Sequence, residues 1–213
     1  INNDANACAQ AEWLFGSCAG AESLVYLTMS TGMGGGIVTR GQVLQGVSDM
    51  AGEVGHFVLD VNGPPCPCGQ RGCFEMYCGG MNVANQLRAR IVKENIKTAI
   101  LDEAGGDPAR IEFRHFANAT RKGDPFARQE FDLFLERLAH GFGIILMTLN
   151  PAALVLGTMA IHHGDLILEP LRQRLPRYAW RFAVEPCRIA PSALEGRIGD
   201  LSALSVAIMG LRG

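Results

Sequence analysis

One loop constrains the fold of this chain more than any other part of its sequence. It holds one histidine and three cysteines within eighteen residues, in the order His56, nine residues, Cys66, one residue, Cys68, four residues and Cys73. One imidazole and three thiolates make a complete tetrahedral ligand set for zinc, with no position left open. We therefore predict a loop built around a structural zinc ion. The alternatives are a flexible loop with free thiols and a disulfide formed by Cys66 or Cys68.

Two carboxylates, Glu53 and Glu75, bracket this metal loop. Prolines stiffen its backbone, while glycines allow it to turn tightly around an ion. A metal loop flanked by carboxylates resembles a clamp that shapes a neighbouring site more than it resembles a separate zinc finger.

Composition places the chain among ordinary globular proteins. It has 213 residues, of which 48% are hydrophobic and 19% charged, enough for one large domain or two lobes. The formal net charge is −2 and no basic tract stands out, so nucleic-acid binding has no electrostatic support. The longest apolar run, around residues 144–149, is too short to span a bilayer.

The remaining cysteines and the N-terminus bear on the compartment. Residues 1–4 lack the charged and apolar regions of a signal peptide, and the chain has no initiator methionine. Because a motif-like segment begins almost at residue 1, we expect a fragment of a longer protein. Scattered cysteines favour a reducing compartment, the cytoplasm, with buried thiols: Cys8, Cys18, Cys78 and Cys187.

The apolar pattern predicts an α/β fold. Short β-branched runs predict strands, and apolar residues at helical spacing predict helices, whereas the Gly-, Pro- and Cys-rich residues 46–80 predict a loop. The order of these elements is typical of α/β proteins. Strands are expected at 23–29, 37–38, 153–156 and 188–190, and helices at 5–15, 82–94, 113–121, 125–149, 166–175 and 201–209.

A glycine-rich turn, Ser30-Thr31-Gly32-Met33-Gly34-Gly35-Gly36, connects the first two predicted strands. Bare backbone amides approach phosphate oxygens closely, and the two hydroxyls add donors. The turn is not a P-loop, because no Lys-Ser or Lys-Thr pair follows, and a strand follows where a dinucleotide fingerprint would have a helix. On its own the pattern fits a plain tight turn equally well.

Asp4 follows Asn3 at the start of the first predicted helix. Taken alone, it is best interpreted as a helix cap. As a functional residue it would be a general base that accepts a hydroxyl proton.

Together these segments resemble the ROK family, which contains bacterial glucokinases, other hexose and N-acetylhexosamine kinases, and sugar-responsive repressors. The resemblance covers the whole chain and weakens after about residue 80. Its most specific part is Glu-x-Gly-His followed by Cys-x-Cys-Gly-x-x-Gly-Cys-x-Glu. The matching segments are residues 3–6, 30–38, 51–56 and 66–75.

The resemblance implies an actin-like ATPase (ribonuclease H-like) fold with two lobes and a cleft between them. Residues 1–213 would form the C-terminal lobe, with the zinc loop inserted at about 56–75, and a homodimer is expected on the same basis. The family's zinc ligands fall on His56, Cys66, Cys68 and Cys73.

The resemblance also implies a sugar site. The family's catalytic aspartate falls on Asp4, with Asn3 beside it touching the sugar, and its sugar-binding carboxylates fall on Glu53 and Glu75. His56 would face the sugar with the ring nitrogen that zinc does not use.

The nucleotide site follows from the same resemblance. The family's second phosphate motif falls on Thr31, Gly32, Gly34 and Gly35, and its adenosine motif on Gly157. The reaction implied is transfer of the γ-phosphoryl group of ATP, with Mg²⁺ neutralising the phosphates, to a sugar hydroxyl, most often at C6.

Two departures from the family pattern matter. The Asp-x-Gly-Gly-Thr phosphate motif of the N-terminal lobe is absent, so this chain alone should turn over little or nothing. Thr158 and Met159 follow Gly157 where the family has further glycines.

A sugar kinase is the leading hypothesis for function. The alternative is a sugar-sensing repressor whose DNA-binding domain lies outside this chain, and a third reading is a zinc-stapled domain without activity. The sugar stays open, because kinases for glucose, N-acetylmannosamine, N-acetylglucosamine and allose would share these residues.

Overall fold

The computed structural model describes residues 4–194 and 196–210, and a five-stranded mixed sheet forms its centre. The strand order is β3-β2-β1-β4-β5. β2 pairs antiparallel with both β1 and β3, whereas β4 pairs parallel with both β1 and β5. The strands are β1 (Ser23–Leu27), β2 (Gly35–Thr39), β3 (Gln42–Val43), β4 (Ala153–Leu156) and β5 (Arg188–Pro191).

Helices cover both faces of this sheet. The described helices are α1 (Asp4–Phe15), α2 (Phe74–Cys78), α3 (Gly80–Glu94), α4 (Ala99–Glu103), α5 (Phe113–Arg121), α6 (Pro125–Leu149), α7 (Thr158–Arg174), α8 (Arg181–Val184) and α9 (Ile198–Gly210). Short 3₁₀ turns lie at Val54–His56, Pro108–Arg110 and Leu175–Arg177. The expected α/β class is confirmed. No helix in the described part of the chain has the length and apolar character needed to cross a bilayer.

The strands divide the core into two layers because alternate side chains point to opposite faces. Val25 and Leu27 of β1 belong to the large cluster beneath α3, α5, α6 and α7. Leu24 and Tyr26 belong to a smaller cluster beneath α1. α1 is therefore packed on the opposite face of the sheet from the long helices.

The clearest sequence patterns gave the correct boundaries. α5 and α6 span the predicted residues 113–121 and 125–149. Asp124 caps α6 by accepting a hydrogen bond from Ala127 N at 2.7 Å, and Pro125 occupies the first turn. These local signals were sufficient because they do not depend on tertiary packing.

Other boundaries were wrong. The segment 46–80, predicted as loop, contains the 3₁₀ turn and α2, and α3 begins at Gly80. α7 begins at Thr158 instead of residue 166, because a non-helical residue, His163, interrupts the helical period after its first turn. The short helices α4 and α8 were not predicted.

Candidate functional site

Backbone pairing and stacked rings hold the metal loop to the core. Val58 pairs with Cys73 in an isolated bridge, and Phe74 N donates to Phe57 O at 3.0 Å. The rings of Phe57 and Phe74 stack at 5.1 Å, and Phe74 is fully buried. The loop is thus anchored beside its last cysteine.

The four predicted metal ligands come together. The donor atoms of His56, Cys66, Cys68 and Cys73 all lie within 4.8 Å of one another. Cys68 Sγ lies 3.6 Å from Cys73 Sγ, and Cys66 Sγ lies 3.7 Å from His56 Nδ1. A tetrahedron with metal–sulfur bonds of about 2.3 Å has edges of about 3.8 Å, so these separations suit one zinc ion. All seven cysteines are free, so the disulfide alternative is wrong.

The buried cysteines of this cluster can be thiolates only if a positive charge lies beside them. Burial raises the pKa of the Cys66 thiol to about 12 and raises the pKa of Cys73 as well. Metal ligands have to be thiolates, and a divalent ion supplies the positive charge that stabilises them. The donor set therefore fits zinc in both geometry and chemistry.

Glu75 lies directly beside the cluster, in the first turn of α2. Its Oε1 is 3.7 Å from His56 Nδ1 and 3.4 Å from Cys66 Sγ. His56 Nδ1 consequently faces the cluster, which leaves Nε2 as the nitrogen for a further partner. Glu53 is half-buried one turn earlier, where its carbonyl accepts from His56 N at 3.1 Å. The 3₁₀ turn and α2 therefore place the imidazole next to Glu75.

The glycine-rich turn between β1 and β2 adjoins this carboxylate. Thr28 N donates to Gly34 O at 2.9 Å, and Gly34 N donates to Thr28 Oγ1 at 2.9 Å, which closes the turn. A Cβ on Gly32 would lie 3.2 Å from Glu75 Oε2. Gly35 already belongs to β2. The predicted phosphate turn and a predicted sugar carboxylate are thus neighbours.

α1 brings Asp4 to the same turn. Asp4 is the first residue of α1, it is exposed, and its Oδ1 accepts from Ala5 N at 2.7 Å. A Cβ on Gly36 would lie 2.3 Å from Ala5 O, and one on Gly34 would lie 3.6 Å from Ala5 Cβ. The glycines of β2 therefore let the first turn of α1 lie against the hairpin. Asn3, the predicted sugar contact beside Asp4, lies outside the described residues.

A cavity of about 480 Å³ opens on the other side of the turn, between α3, α5 and α7. Gly80 N donates to Ser30 O at 2.8 Å, and Met81 N donates to Thr31 O at 2.9 Å, which fixes the turn on α3. The volume lies within the usual range of small-molecule sites. The lining combines hydroxyl, apolar and basic side chains with one carboxylate, among them Thr31, Met81, Arg88, Glu112, Phe113 and His162.

Gly157 joins this cavity to the sheet. It is the N-cap of α7, and its N–H donates to Leu27 O at 2.8 Å. A Cβ at this position would lie 2.3 Å from Thr28 O, so only glycine allows α7 to begin this close to the turn. The predicted adenosine residue therefore directly precedes Thr158, which lines the cavity together with Thr31.

Several residues of the cavity wall carry no local sequence pattern that marks them as site residues. Arg88, Arg114, His162 and His163 were not predicted as site residues, yet all four line the cavity. The available signal was Gly157, a glycine directly after a buried strand. A helix that begins directly after Gly157 places His162 and His163 within its first two turns.

Comparison with known proteins supports one family. The ROK family model matches residues 1–208. The glucokinase of Thermotoga maritima is 32% identical over 206 residues, covering 97% of this chain and 64% of the glucokinase. The xylose repressor of Bacillus subtilis is 29% identical over 210 residues, covering 98% of this chain and 50% of the repressor. The chain therefore spans only one half to two thirds of the length of these relatives.

Solved structures agree with these relatives. A ROK family glucokinase from Streptomyces griseus, in complex with glucose and AMPPNP, is 30% identical with a TM-score of 0.82, over 97% of this chain and 67% of that chain. A ROK hexokinase from Thermus thermophilus is 29% identical with a TM-score of 0.78, over 100% of this chain and 66% of that chain. The expected actin-like ATPase fold is confirmed. From the match over residues 1–208 and these relatives, this chain belongs to the ROK family.

Proposed function

We propose that this chain forms the C-terminal lobe of an ATP-dependent sugar kinase, which phosphorylates a hexose or N-acetylhexosamine at the 6-hydroxyl. The observation that carries the proposal is the position of the glycine-rich turn. It adjoins the first turn of α1, the carboxylate of Glu75 and the 480 Å³ cavity. A phosphate-binding turn there would lie between a nucleotide and a sugar. The similarity to the Streptomyces griseus glucokinase, solved in complex with glucose and AMPPNP, supports a protein that binds both a sugar and a nucleotide.

In this proposal the metal loop forms the sugar wall. Glu53 and Glu75 accept hydrogen bonds from sugar hydroxyls, and His56 Nε2 contacts a further hydroxyl. Such partly buried acceptors reject sugars that lack the matching group, because the acceptor would then stay unpaired. Asn3 is proposed to contact the sugar as well.

A structural zinc ion would hold this wall in place. His56, Cys66, Cys68 and Cys73 would bind it, and their separations and charge suit that ion. The ion would fix the orientation of the His56 imidazole. Its Nδ1 lies 3.7 Å from Glu75 Oε1.

ATP with Mg²⁺ would bind across the turn and the cavity. Backbone amides of the turn would contact the phosphates, and the base and ribose would occupy the cavity beyond Gly157. The residues assigned to the nucleotide are Thr31, Gly32, Gly34, Gly35 and Gly157.

Asp4 is the proposed general base. It accepts the proton of the sugar hydroxyl while that oxygen attacks the γ-phosphorus; the bond to the β,γ-bridging oxygen breaks and ADP leaves. Asp4 is exposed at the N-terminal end of α1, where its carboxylate is accessible to a substrate hydroxyl.

The complete protein is proposed to add a lobe with the first phosphate motif and to form a homodimer in the cytoplasm. A reducing compartment agrees with seven free cysteines.

A sugar-sensing repressor is the second candidate, because the xylose repressor of Bacillus subtilis matches 98% of this chain. Asp4 beside the phosphate turn favours the kinase, since a sensor does not need a group that accepts the hydroxyl proton. The formal net charge of −2 gives nucleic-acid binding by this segment no electrostatic support, so in this candidate the DNA-binding domain would lie elsewhere.

The test is a panel of sugars with ATP and the complete protein, followed by Asp4→Asn on the preferred sugar. We expect kcat to fall by about 10²–10⁴-fold and the Kd for sugar to stay close to its wild-type value. Asp200→Asn, at an exposed aspartate in the first turn of α9, is the matched control and should keep wild-type kcat. Retained turnover in Asp4→Asn would exclude this base. Sugar-dependent DNA binding without phosphorylation of any sugar would favour the repressor.

A further inference from the structure

Helix α7 is bent within the wall of the nucleotide-sized cavity. His163 leaves helical geometry, with φ −131° and ψ 26°. Thr158, Met159 and His162 line the cavity before the bend, and His163 lines it at the bend. The direction of this short first segment therefore sets the shape of the cavity wall.

One guanidinium joins the two parts of α7. Arg121, the last residue of α5, donates from Nε to Asp165 Oδ2 at 2.8 Å and from Nη2 to Asp165 Oδ1 at 2.6 Å. The same Nη2 donates to the carbonyl of His162 at 3.5 Å and lies 3.2 Å from His163 Nδ1. Arg121 thus contacts the residue before the bend, the bend itself and a residue after it.

Neighbouring contacts define this position further. The His163 ring lies 5.6 Å from that of Phe113, which is buried and also lines the cavity. Asn118 Oδ1 accepts from Arg121 Nη1 at 3.4 Å. Hydrogen bonding to Arg121 holds the pKa of Asp165 below its usual range, so the pair stays ionised at neutral pH. The bend is therefore packed on one side and ion-paired on the other.

The ion pair between Arg121 and Asp165 contributes little to the free energy of unfolding. The side chains of Arg121 and Asp165 are 33% and 58% exposed, and exposed ion pairs usually contribute little to the free energy of unfolding. A bidentate guanidinium–carboxylate pair, however, fixes direction as well as distance. The pair is suited to orienting α7 more than to holding the fold together.

We propose that Arg121 is a positioning residue for nucleotide binding, which fixes the bend of α7 and thereby the wall that receives the base and ribose. This inference rests on the proposed function, since it assumes that a nucleotide occupies the cavity. Arg121 acts through His162, His163 and Asp165 and need not touch the nucleotide.

The test measures the affinity of the complete protein for AMPPNP with Mg²⁺, and separately its affinity for the sugar, by calorimetry. Arg121→Ala should weaken AMPPNP binding by roughly 3- to 30-fold and leave sugar affinity unchanged. Arg121→Lys keeps the charge but loses the fork, so it should not restore affinity. Amide exchange over residues 158–165 should be faster in Arg121→Ala.

Arg174→Ala is the matched control. Arg174 lies at the far end of the same helix and makes ion pairs with Asp132 and Glu136 of α6. Its loss should leave AMPPNP affinity and exchange over residues 158–165 at wild-type values, even where it lowers Tm.

The outcomes separate this inference from the proposed function. If the wild-type protein and Arg121→Ala bind AMPPNP equally well, the positioning role is overturned. The kinase proposal is then unaffected. Equal losses of nucleotide and sugar affinity overturn the positioning role too, because they indicate a general effect on folding. A wild-type protein that binds sugar but not AMPPNP overturns the nucleotide site, and the inference with it.

Discussion

Gly36→Ala tests how the sheet positions the proposed base. Gly36 lies in β2 beneath the first turns of α1. An added Cβ would lie 2.3 Å from Ala5 O and 2.7 Å from Ala9 Cβ, whereas ordinary contacts begin at 3.4 Å. Neither atom can rotate away, since one is backbone and the other is fixed to it. Relief therefore requires α1 to move by roughly 1 Å, the scale on which catalytic alignment is sensitive.

The expected effect follows from that displacement. Overpacking of this kind lowers the free energy of unfolding by about 1–3 kcal/mol, so the variant should still fold. Asp4 begins the displaced turn, and a misplacement of about 1 Å lowers kcat by up to about 100-fold. Glu53, His56 and Glu75 lie on other elements and keep their proposed sugar contacts, whereas only Asn3 adjoins the displaced turn, so the Kd for sugar should change much less than kcat.

The assay is ADP release by the complete protein with its preferred sugar, together with Tm and calorimetric sugar binding. Gly199→Ala is the control: it makes the same substitution in α9, with no atom within 4 Å of the added Cβ. α9 also packs on α1, where Ser202 donates to Cys8 Sγ at 3.4 Å. If Gly36→Ala lowers Tm but keeps wild-type kcat, the reasoning is refuted. In that case α1 would be strained without any displacement of Asp4 that matters for catalysis.

Two further predictions concern the metal and one helix cap. The purified protein should contain about one zinc per chain, and Cys73→Ser should lower zinc content, Tm and, by about 10–100-fold, sugar affinity; a metal-free protein of full stability would contradict this. Asp124→Ala should lower the free energy of unfolding by about 1–2 kcal/mol at pH 7, because the carboxylate accepts from Ala127 N and from Thr98 Oγ1 at 2.7 and 2.9 Å. Burial would raise the pKa of Asp124, but these bonds hold it below its usual range. The stabilisation is thus present above about pH 4 and lost as pH falls, so urea unfolding should show the difference shrinking at pH 3.

The parts of the site that sequence could predict are those encoded in short segments. His56, Cys66, Cys68 and Cys73 are close in sequence, so their convergence at 4.8 Å or less follows from loop length and ligand chemistry. Likewise, Asp124 and Pro125 define the start of α6 locally. Neither result requires knowledge of how distant elements pack.

The nucleotide-sized cavity could not be predicted in this way. It is bordered by residues more than one hundred positions apart, such as Thr31 and Thr158, and it exists only after α3, α5 and α7 pack together. Arg121 illustrates the same limit. In sequence it is an ordinary basic residue near the end of a helix, and only the bend of α7 reveals what its guanidinium contacts.

The sheet topology gives an independent reason for the cavity to lie where it does. β1 and β4 are adjacent and parallel, so their last residues, Leu27 and Leu156, lie at the same edge. From that edge the chain continues in opposite directions, from β1 to β2 on one side and from β4 through α7 to β5 on the other. Two connections that diverge between neighbouring parallel strands leave a crevice, which is where open α/β sheets bind ligands. Thr31, in the turn after Leu27, and Thr158, two residues after Leu156, both line the cavity at that edge, so strand order supports the proposed nucleotide site independently of family resemblance.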